Sequence, residues 1–432
     1  MKKAPFGPRP GMGREAHTRT VRAERAAHGG AVIAHDEGDT LMVFYALPGE
    51  LVEAVPKGRR GGLTYANTVR VLEPSADRVT ARCPHFGECG GCQWQHARYE
   101  RQLEFKRQVV EEAWRGAGVR LPPDSPVLGM ADPWRYRIRG EFEARTDLQG
   151  RVSLGFHRMR SHVLLPVTTC PIHDERIERA ALVLGRAATE LRVTGLQSVL
   201  LTVEPTGSGL LWRTRYQQRS LGSQDQSLAA RAAELLPDLV LLDDSMSLDL
   251  WELSFRVRSD TFVQTNYRQM LVLYETALGM LGAGPADAVL DLYAGIGTIA
   301  LAVARTAGSV TAIEENPAAV RLSQLNARIN GARNFRALPG RVEEALRQVR
   351  MGDHQAVILD PPRAGCEPEA IAELLRLGTE RLVYISCEPS TQARDVALLV
   401  RGGYRVRRAA VVDMFPHTYH VESVALLERV SS

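Results

Sequence analysis

Lysine is almost absent from this chain of 432 residues. Lys2, Lys3, Lys57 and Lys106 are four of its 54 basic residues, and the rest are arginines. Opposite charges nearly cancel, to +4, so total charge alone does not mark a nucleic-acid binder. Arginine suits phosphate and base recognition, because its fork bonds bidentately and its plane stacks. A GC-rich genome gives the same bias with no functional meaning. Long hydrophobic runs are also missing. None approaches the roughly 18–20 apolar residues of a membrane span, and no apolar stretch backs Met1-Lys2-Lys3, so a secretory signal is not expected. The protein is read as cytoplasmic, without a membrane partner and acting as a monomer. Extended low-complexity tracts and internal repeats are absent too. With 44% hydrophobic and 24% charged residues, the composition is that of a globular protein of two or three domains.

Cysteine is scarce but not scattered. Of six cysteines, three stand in Cys83-x5-Cys89-x2-Cys92, and Cys170 lies far downstream. In a cytoplasmic chain this pattern predicts metal or cluster ligands, not disulfides. Four thiolates suit tetrahedral zinc or a [4Fe–4S] cluster, and spacing alone leaves both open. His85 and His173 are further candidates if the metal is zinc.

The chain changes texture along its length. Residues 1–17 begin a basic, apolar-poor stretch, predicted to be a flexible arm. Residues 18–76 alternate in a β manner, with Ala31–Ala34, Leu41–Tyr45, Glu50–Val55 and Thr68–Leu72 as strands. Gly29-Gly30, Pro48-Gly49 and Gly61-Gly62 supply the turns. This fits an oligonucleotide-binding-type barrel, although a β module with no ligand would read the same. A helix is predicted over 95–117, with Tyr99, Leu103, Val110 and Trp114 on one face. The segment 77–259 reads as an α+β domain, and the helix 95–117 is expected to pack on the domain that follows. From 260 to 432, apolar strands alternate with helices in the rhythm of a doubly wound parallel sheet. The strands are Ala288–Leu292, Val310–Glu314, Ala356–Asp360 and Arg381–Ile385.

The chemistry is expected at the carboxyl ends of those strands, where open α/β sheets bind ligands. Asp291-Leu292-Tyr293-Ala294-Gly295-Ile296-Gly297-Thr298 follows the first strand, and its glycines let a ligand approach the backbone. Glu314 ends the second strand, the place of an acid that bonds ribose hydroxyls. Asp360-Pro361-Pro362-Arg363 and Ser386-Cys387 follow two further strands, and Asp413 to Glu422 forms a C-terminal motif. A reactive cysteine and a carboxylate are what methylation at C5 of uracil requires. A thiolate adds to C6 and makes C5 nucleophilic. A base then removes the C5 proton so that the thiolate can leave. Cys387 and Glu422 fit these roles. Each also has a plain alternative, a buried inert cysteine and a surface carboxylate.

Taken together, Phe262-Val263-Gln264-Thr265-Asn266, Asp291–Thr298, Asp360–Gly365, Ser386-Cys387 and Asp413–Glu422 resemble, in order, the motifs of the RNA uridine-5 methyltransferases. The similarity extends over nearly the whole chain after residue 18. It is strongest to the iron–sulfur-containing branch that acts on 23S ribosomal RNA. The resemblance implies a TRAM barrel over 18–76, an iron–sulfur domain over 77–259 and a Rossmann-like methyltransferase domain over 260–432. It implies S-adenosylmethionine held by Gln264, Tyr293, Thr298, Glu314 and Asp360, with Cys387 as nucleophile and Glu422 as base. It favours a [4Fe–4S] cluster on Cys83, Cys89, Cys92 and Cys170 over zinc. The expected partner is RNA, 23S ribosomal RNA ahead of transfer RNA. The competing expectation is an RNA-binding or assembly factor that keeps the fold without the reaction. One position departs from the family, which usually has Asn after the catalytic cysteine where this chain has Glu388. A carboxylate there would raise the thiol's pKa unless it points away. Cys366 reads as incidental.

Overall fold

A computed structural model describes residues 18–217, 222–242 and 244–430. The basic arm expected over 1–17 lies outside the described residues.

Six strands come first: β1 (Arg19–Arg22), β2 (Arg25–Ala26), β3 (Ala31–Asp36), β4 (Asp39–Phe44), β5 (Leu51–Arg60) and β6 (Leu63–Glu73). They form one sheet in the order β1-β5-β6-β4-β3-β2. Alternate residues of each strand point inward, so Val21, Ala34, Leu41, Val43, Val52, Ala54 and Ala66 make a small apolar core. At the β5–β6 hairpin Gly61 and Gly62 both have positive φ, +58° and +80°. A two-residue turn matched to the strand twist requires this. Glu50 is fully buried, and its carboxylate accepts from Arg78 Nε at 2.6 Å, which ties the sheet to the next segment.

Helix α1 (Tyr99–Gly116) starts four residues later than the pattern predicts. Residues before it are held in extended contacts instead: Val79 N donates to His96 O and Arg98 N to Asp77 O, both at 2.9 Å. After α1, the short β7 (Val127–Leu128) joins the edge of the C-terminal sheet, parallel to a strand described below.

The middle of the chain builds a second six-stranded sheet from β8 (Arg139–Thr146), β9 (Val152–His157), β10 (Leu164–Pro166), β11 (Leu196–Val203), β12 (Gly209–Tyr216) and β13 (Val240–Leu242). The order is β10-β9-β8-β11-β12-β13. Helices α2 (Glu175–Glu190) and α3 (Gly222–Leu235) accompany it. Ile177 and Leu184 of α2 pack with Phe142, Leu154, Val199 and Leu201 of the sheet. Residues 135–138 precede β8 without joining its strand. Arg135 has φ +52° and Arg137 bridges to both His173 and Asn266, so this stretch is a junction. A hairpin, β14 (Ser245–Leu250) and β15 (Leu253–Arg258), follows. Its Met246, Leu248, Phe255 and Val257 pack into the core of the C-terminal region.

That region runs α4 (Tyr267–Leu281), β16 (Ala288–Leu292), α5 (Thr298–Val303), β17 (Ser309–Glu314), α6 (Pro317–Ile329), β18 (Phe335–Pro339), α7 (Val342–Leu346), β19 (Ala356–Leu359), α8 (Pro368–Leu377), β20 (Arg381–Ser386), α9 (Pro389–Arg401), β21 (Tyr404–Val412) and β22 (Glu422–Arg429). The sheet order is β18-β17-β16-β19-β20-β22-β21-β7. Strands β16 to β20 pair in parallel, and β22 inserts antiparallel to both neighbours. The central strands are buried on both faces, which is why they read as continuous apolar runs. The strand order reverses between β16 and β19, the switch point where such sheets open a crevice. Helix α1 packs against α9, with Trp114 fully buried and its Nε1 donating to Gln392 Oε1 at 3.3 Å.

Candidate active site

Strand register brings two distant motifs together. Ser386 of β20 pairs with Ser423 of β22. Cys387 follows the first and Glu422 precedes the second, so the two lie opposite each other at the carboxyl edge of the parallel strands. Glu422 is buried and Cys387 half-buried. Asp360, which follows β19, reaches the same place. Burial first, then the charges of Glu422 and Asp360, push the Cys387 thiol up to about 12. Burial and Asp360 also hold the Glu422 carboxyl well above its usual value, and Arg363 opposes that shift at both groups. The Asp360 carboxyl is pushed up to about 7 by burial. Arg363 Nη2 lies 3.0 Å from His420 Nδ1, which orients the guanidinium over this edge.

Beside this edge, at the switch point, opens a cavity of about 200 Å³. Gln264, Tyr293, Thr298, Glu314 and Asp360 all line it, with Asp291, Tyr274 and Asn316. Glu314 is fixed at both oxygens: Gly295 N donates to Oε2 at 2.9 Å and Asn316 N to Oε1 at 2.8 Å. Tyr293 sits at φ +63°, a left-handed conformation that costs a non-glycine residue roughly 1–3 kcal/mol. Asp291 is buried, its carboxyl is held well above the ordinary range by burial and then by Asp360, and Oδ2 has no hydrogen-bond partner. A buried, unpaired acceptor aimed at a cavity is costly without a ligand. A second cavity, of about 360 Å³, continues from Tyr293 and Glu314 past Gly340, Arg341 and Glu343.

Several contributors were not legible beforehand. Tyr274 is buried on α4 and faces Asp360, Asp291 and Glu422, with its hydroxyl bonded to Gln264. Phe262 is 74% exposed on the rim of the first cavity, an unusual exposure for so large an apolar side chain. The fully buried Lys106 of α1 forms an ion pair with the equally buried Asp413, and its Nζ also donates to Phe415 O at 2.9 Å. Tyr99 OH donates to Asp413 Oδ2 at 2.8 Å. Of these, the sequence singles out Phe262 and Asp413 as motif residues, but neither the exposure of the one nor the burial of the other shows there. Cys366 stands apart, buried with its N donating to Asp395 Oδ2 at 2.8 Å.

Cys83, Cys89, Cys92 and Cys170 come together around a separate cavity of about 290 Å³. His173 and Arg137 line it as well. Both ring nitrogens of the buried His173 and Nε of Arg137 lack partners. Among the described residues no three His, Cys, Asp or Glu side chains stand close enough to hold one metal ion.

The sequence profile of the tRNA (uracil-5-)-methyltransferase family matches residues 227–430. A 23S rRNA (uracil(1939)-C(5))-methyltransferase of Alkalilimnicola ehrlichii is 34% identical, over 93% of this chain and 95% of that protein. The chain belongs to the RNA (uracil-5-)-methyltransferase family. It is a methyltransferase. Another member of the family, from Edwardsiella ictaluri and bearing the same 23S rRNA name, is 33% identical over 92% of this chain and 93% of its own. The Pyrococcus abyssi tRNA (uracil-54, C5)-methyltransferase, solved with S-adenosyl-L-homocysteine, shares the fold. Its TM-score is 0.72 at 21% identity, over 95% of this chain and all of that one. No helix among the described residues is long and apolar enough to cross a membrane.

Proposed function

We propose that this protein methylates C5 of uridine in RNA, with S-adenosylmethionine as donor and 23S ribosomal RNA as substrate. The observation that carries this reading is the register of β20 and β22, which sets Cys387 against Glu422 beside the switch-point cavity.

When bound, the donor supplies an electrophilic methyl group. Gln264, Tyr293, Thr298, Glu314 and Asp360 would hold it, and the fixed carboxylate of Glu314 is placed to accept from ribose hydroxyls. Burial holds the carboxyls of Asp291, Asp360 and Glu422 toward their neutral forms, and a cationic sulfonium bound beside them would favour their ionised forms. Cys387 adds to C6 of the uracil as a thiolate. Arg363 offsets the two carboxylates that oppose its ionisation. Once C5 carries the methyl group, Glu422 takes the C5 proton and the Cys387–C6 bond breaks. Phe262 offers an aromatic face on which an unstacked base can rest.

The four cysteines would hold a [4Fe–4S] cluster. The cavity they line has room for a cluster, and the unpaired polar atoms of His173 and Arg137 fit an anionic sulfide cluster. The division into a TRAM barrel at 18–76, an iron–sulfur domain at 77–259 and a methyltransferase domain at 260–432 belongs to the same reading. The hairpin β14–β15 packs on the catalytic side.

The test is methyl transfer from labelled donor to unmodified ribosomal and transfer RNA, offered separately to anaerobically prepared protein, with nucleosides identified by mass. The reading requires label in 5-methyluridine from ribosomal RNA. Label only in transfer RNA would overturn the substrate, and label in 5-methylcytidine would overturn the base.

A further inference from the structure

The segment after the cysteine loop is bonded to the segment that leads into Glu422. Gln93 N and Trp94 N both donate to His417 O, at 3.0 and 2.9 Å. Tyr419 N donates to Gln93 Oε1 at 3.3 Å. Gln93 Nε2 donates in turn to Gly90 O at 2.9 Å, inside the cysteine loop. Tyr136, packed with Cys92, adds a hydroxyl donated to Pro416 O at 3.0 Å. Pro416, His417 and Tyr419 are thus all tied to the cysteine side.

The tied loop is not relaxed. His417 has φ +68°, a left-handed conformation that surrounding contacts must hold for a non-glycine residue. Gln102 Oε1 accepts from its N at 2.9 Å, and its ring stacks on Trp134 at 3.8 Å. From the other side the barrel turn closes in: a Cβ on Gly30 would stand 2.6 Å from Gln93 Cβ. Gln93 itself is 4% exposed, so its hydrogen bonds do not compete with water.

We infer that Gln93 is a positioning residue for Glu422, carrying the conformation of the cysteine loop to the base. This rests on the roles proposed above for Cys387 and Glu422. The pairing of β22 fixes Glu422 from its C-terminal side, and the loop 416–421 fixes it from the other. The step that depends on this is the last one. The Glu422 carboxylate takes the C5 proton, the C5–H electron pair becomes the C5=C6 double bond, and the C6–S bond breaks to release Cys387 as thiolate. Addition and methyl acceptance depend on the β20 end and on the donor cavity, neither of which Gln93 touches.

Gln93→Ala in the full-length, cluster-loaded protein tests this through the fraction of enzyme trapped as methylated RNA adduct at steady state. Iron content and donor affinity are measured alongside. The adduct fraction should rise about fivefold or more, while donor affinity stays within about twofold. Tyr136→Phe removes only the bond to Pro416, keeps the ring in place, and should move the adduct fraction the same way by less. It keeps the inference testable if Gln93→Ala fails to fold. Slower turnover with no added adduct in either variant would overturn the inference, as would wild-type adduct levels in both. A wild-type protein that forms neither adduct nor 5-methyluridine would overturn the catalytic assignment and this inference with it.

Discussion

Glu388 Oε1 lies 3.6 Å from His28 Nε2, so the carboxylate that follows Cys387 in sequence faces the N-terminal sheet and not the thiol. Ser390 Oγ donates to the same oxygen at 2.9 Å. The charges that chiefly raise the Cys387 thiol are Glu422 and Asp360. Glu388→Asn, which restores the residue usual in the family, should therefore leave methyl-transfer turnover within about twofold. The pair is partly exposed, and its loss should cost below about 1 kcal/mol by thermal unfolding.

Both groups proposed to react, Cys387 and Glu422, have raised pKa values, and the sign is the same for each. A thiol pushed up to about 12 gains thiolate as pH rises, and a carboxyl held above its usual range gains base form likewise. We expect kcat/KM for RNA to increase steadily from about pH 6 to 9. Arg363 lowers both groups, so Arg363→Gln should shift the profile to higher pH. Turnover at neutral pH should fall, and raising the pH should recover it.

Asp360 gives a stability signature. Its folded pKa of about 7 lies above its ordinary 3.8, so the folded protein binds the extra proton. Stability from this group is present below the ordinary value and is lost as pH rises through about 7. Asp360→Asn should remove that slope. The variant should unfold at higher temperature than wild type at pH 7.5, by up to about 4 kcal/mol in stability, and should bind donor less well. Thermal melts at pH 5 and 7.5 check the first claim and calorimetry the second.

Lys106 and Asp413 are both fully buried. Lys106→Met leaves an uncompensated carboxylate in the interior and should destabilise the protein by about 3–5 kcal/mol in urea unfolding. Adding Asp413→Asn should recover much of the loss.

The apolar strands β16, β17, β19 and β20 and the loops at their ends were readable because a buried parallel strand is a local apolar run, and its ligand loop sits next to it in sequence. The N-terminal strands β3 to β6 showed through their alternation and glycine turns. What sequence could not supply was long-range. Nothing local indicates that β22 runs antiparallel beside β20, yet that register is what sets Glu422 against Cys387. The place of Tyr274, the burial of Lys106 and the bonds from Gln93 to the 417–419 loop depend in the same way on segments far apart in the chain. Helix α1 was found by its periodicity, but its first turn is lost to backbone bonds with residues 77–79, which no helical pattern reveals.

The most direct test of the covalent account is Glu422→Gln incubated with donor and the responding RNA, followed by digestion and peptide mass analysis. Addition and methyl transfer should proceed while elimination stalls. The Cys387 peptide should then carry a methylated uridine nucleotide in a large share of the protein. Free 5-methyluridine released at the wild-type rate, with an unmodified Cys387 peptide, would contradict it.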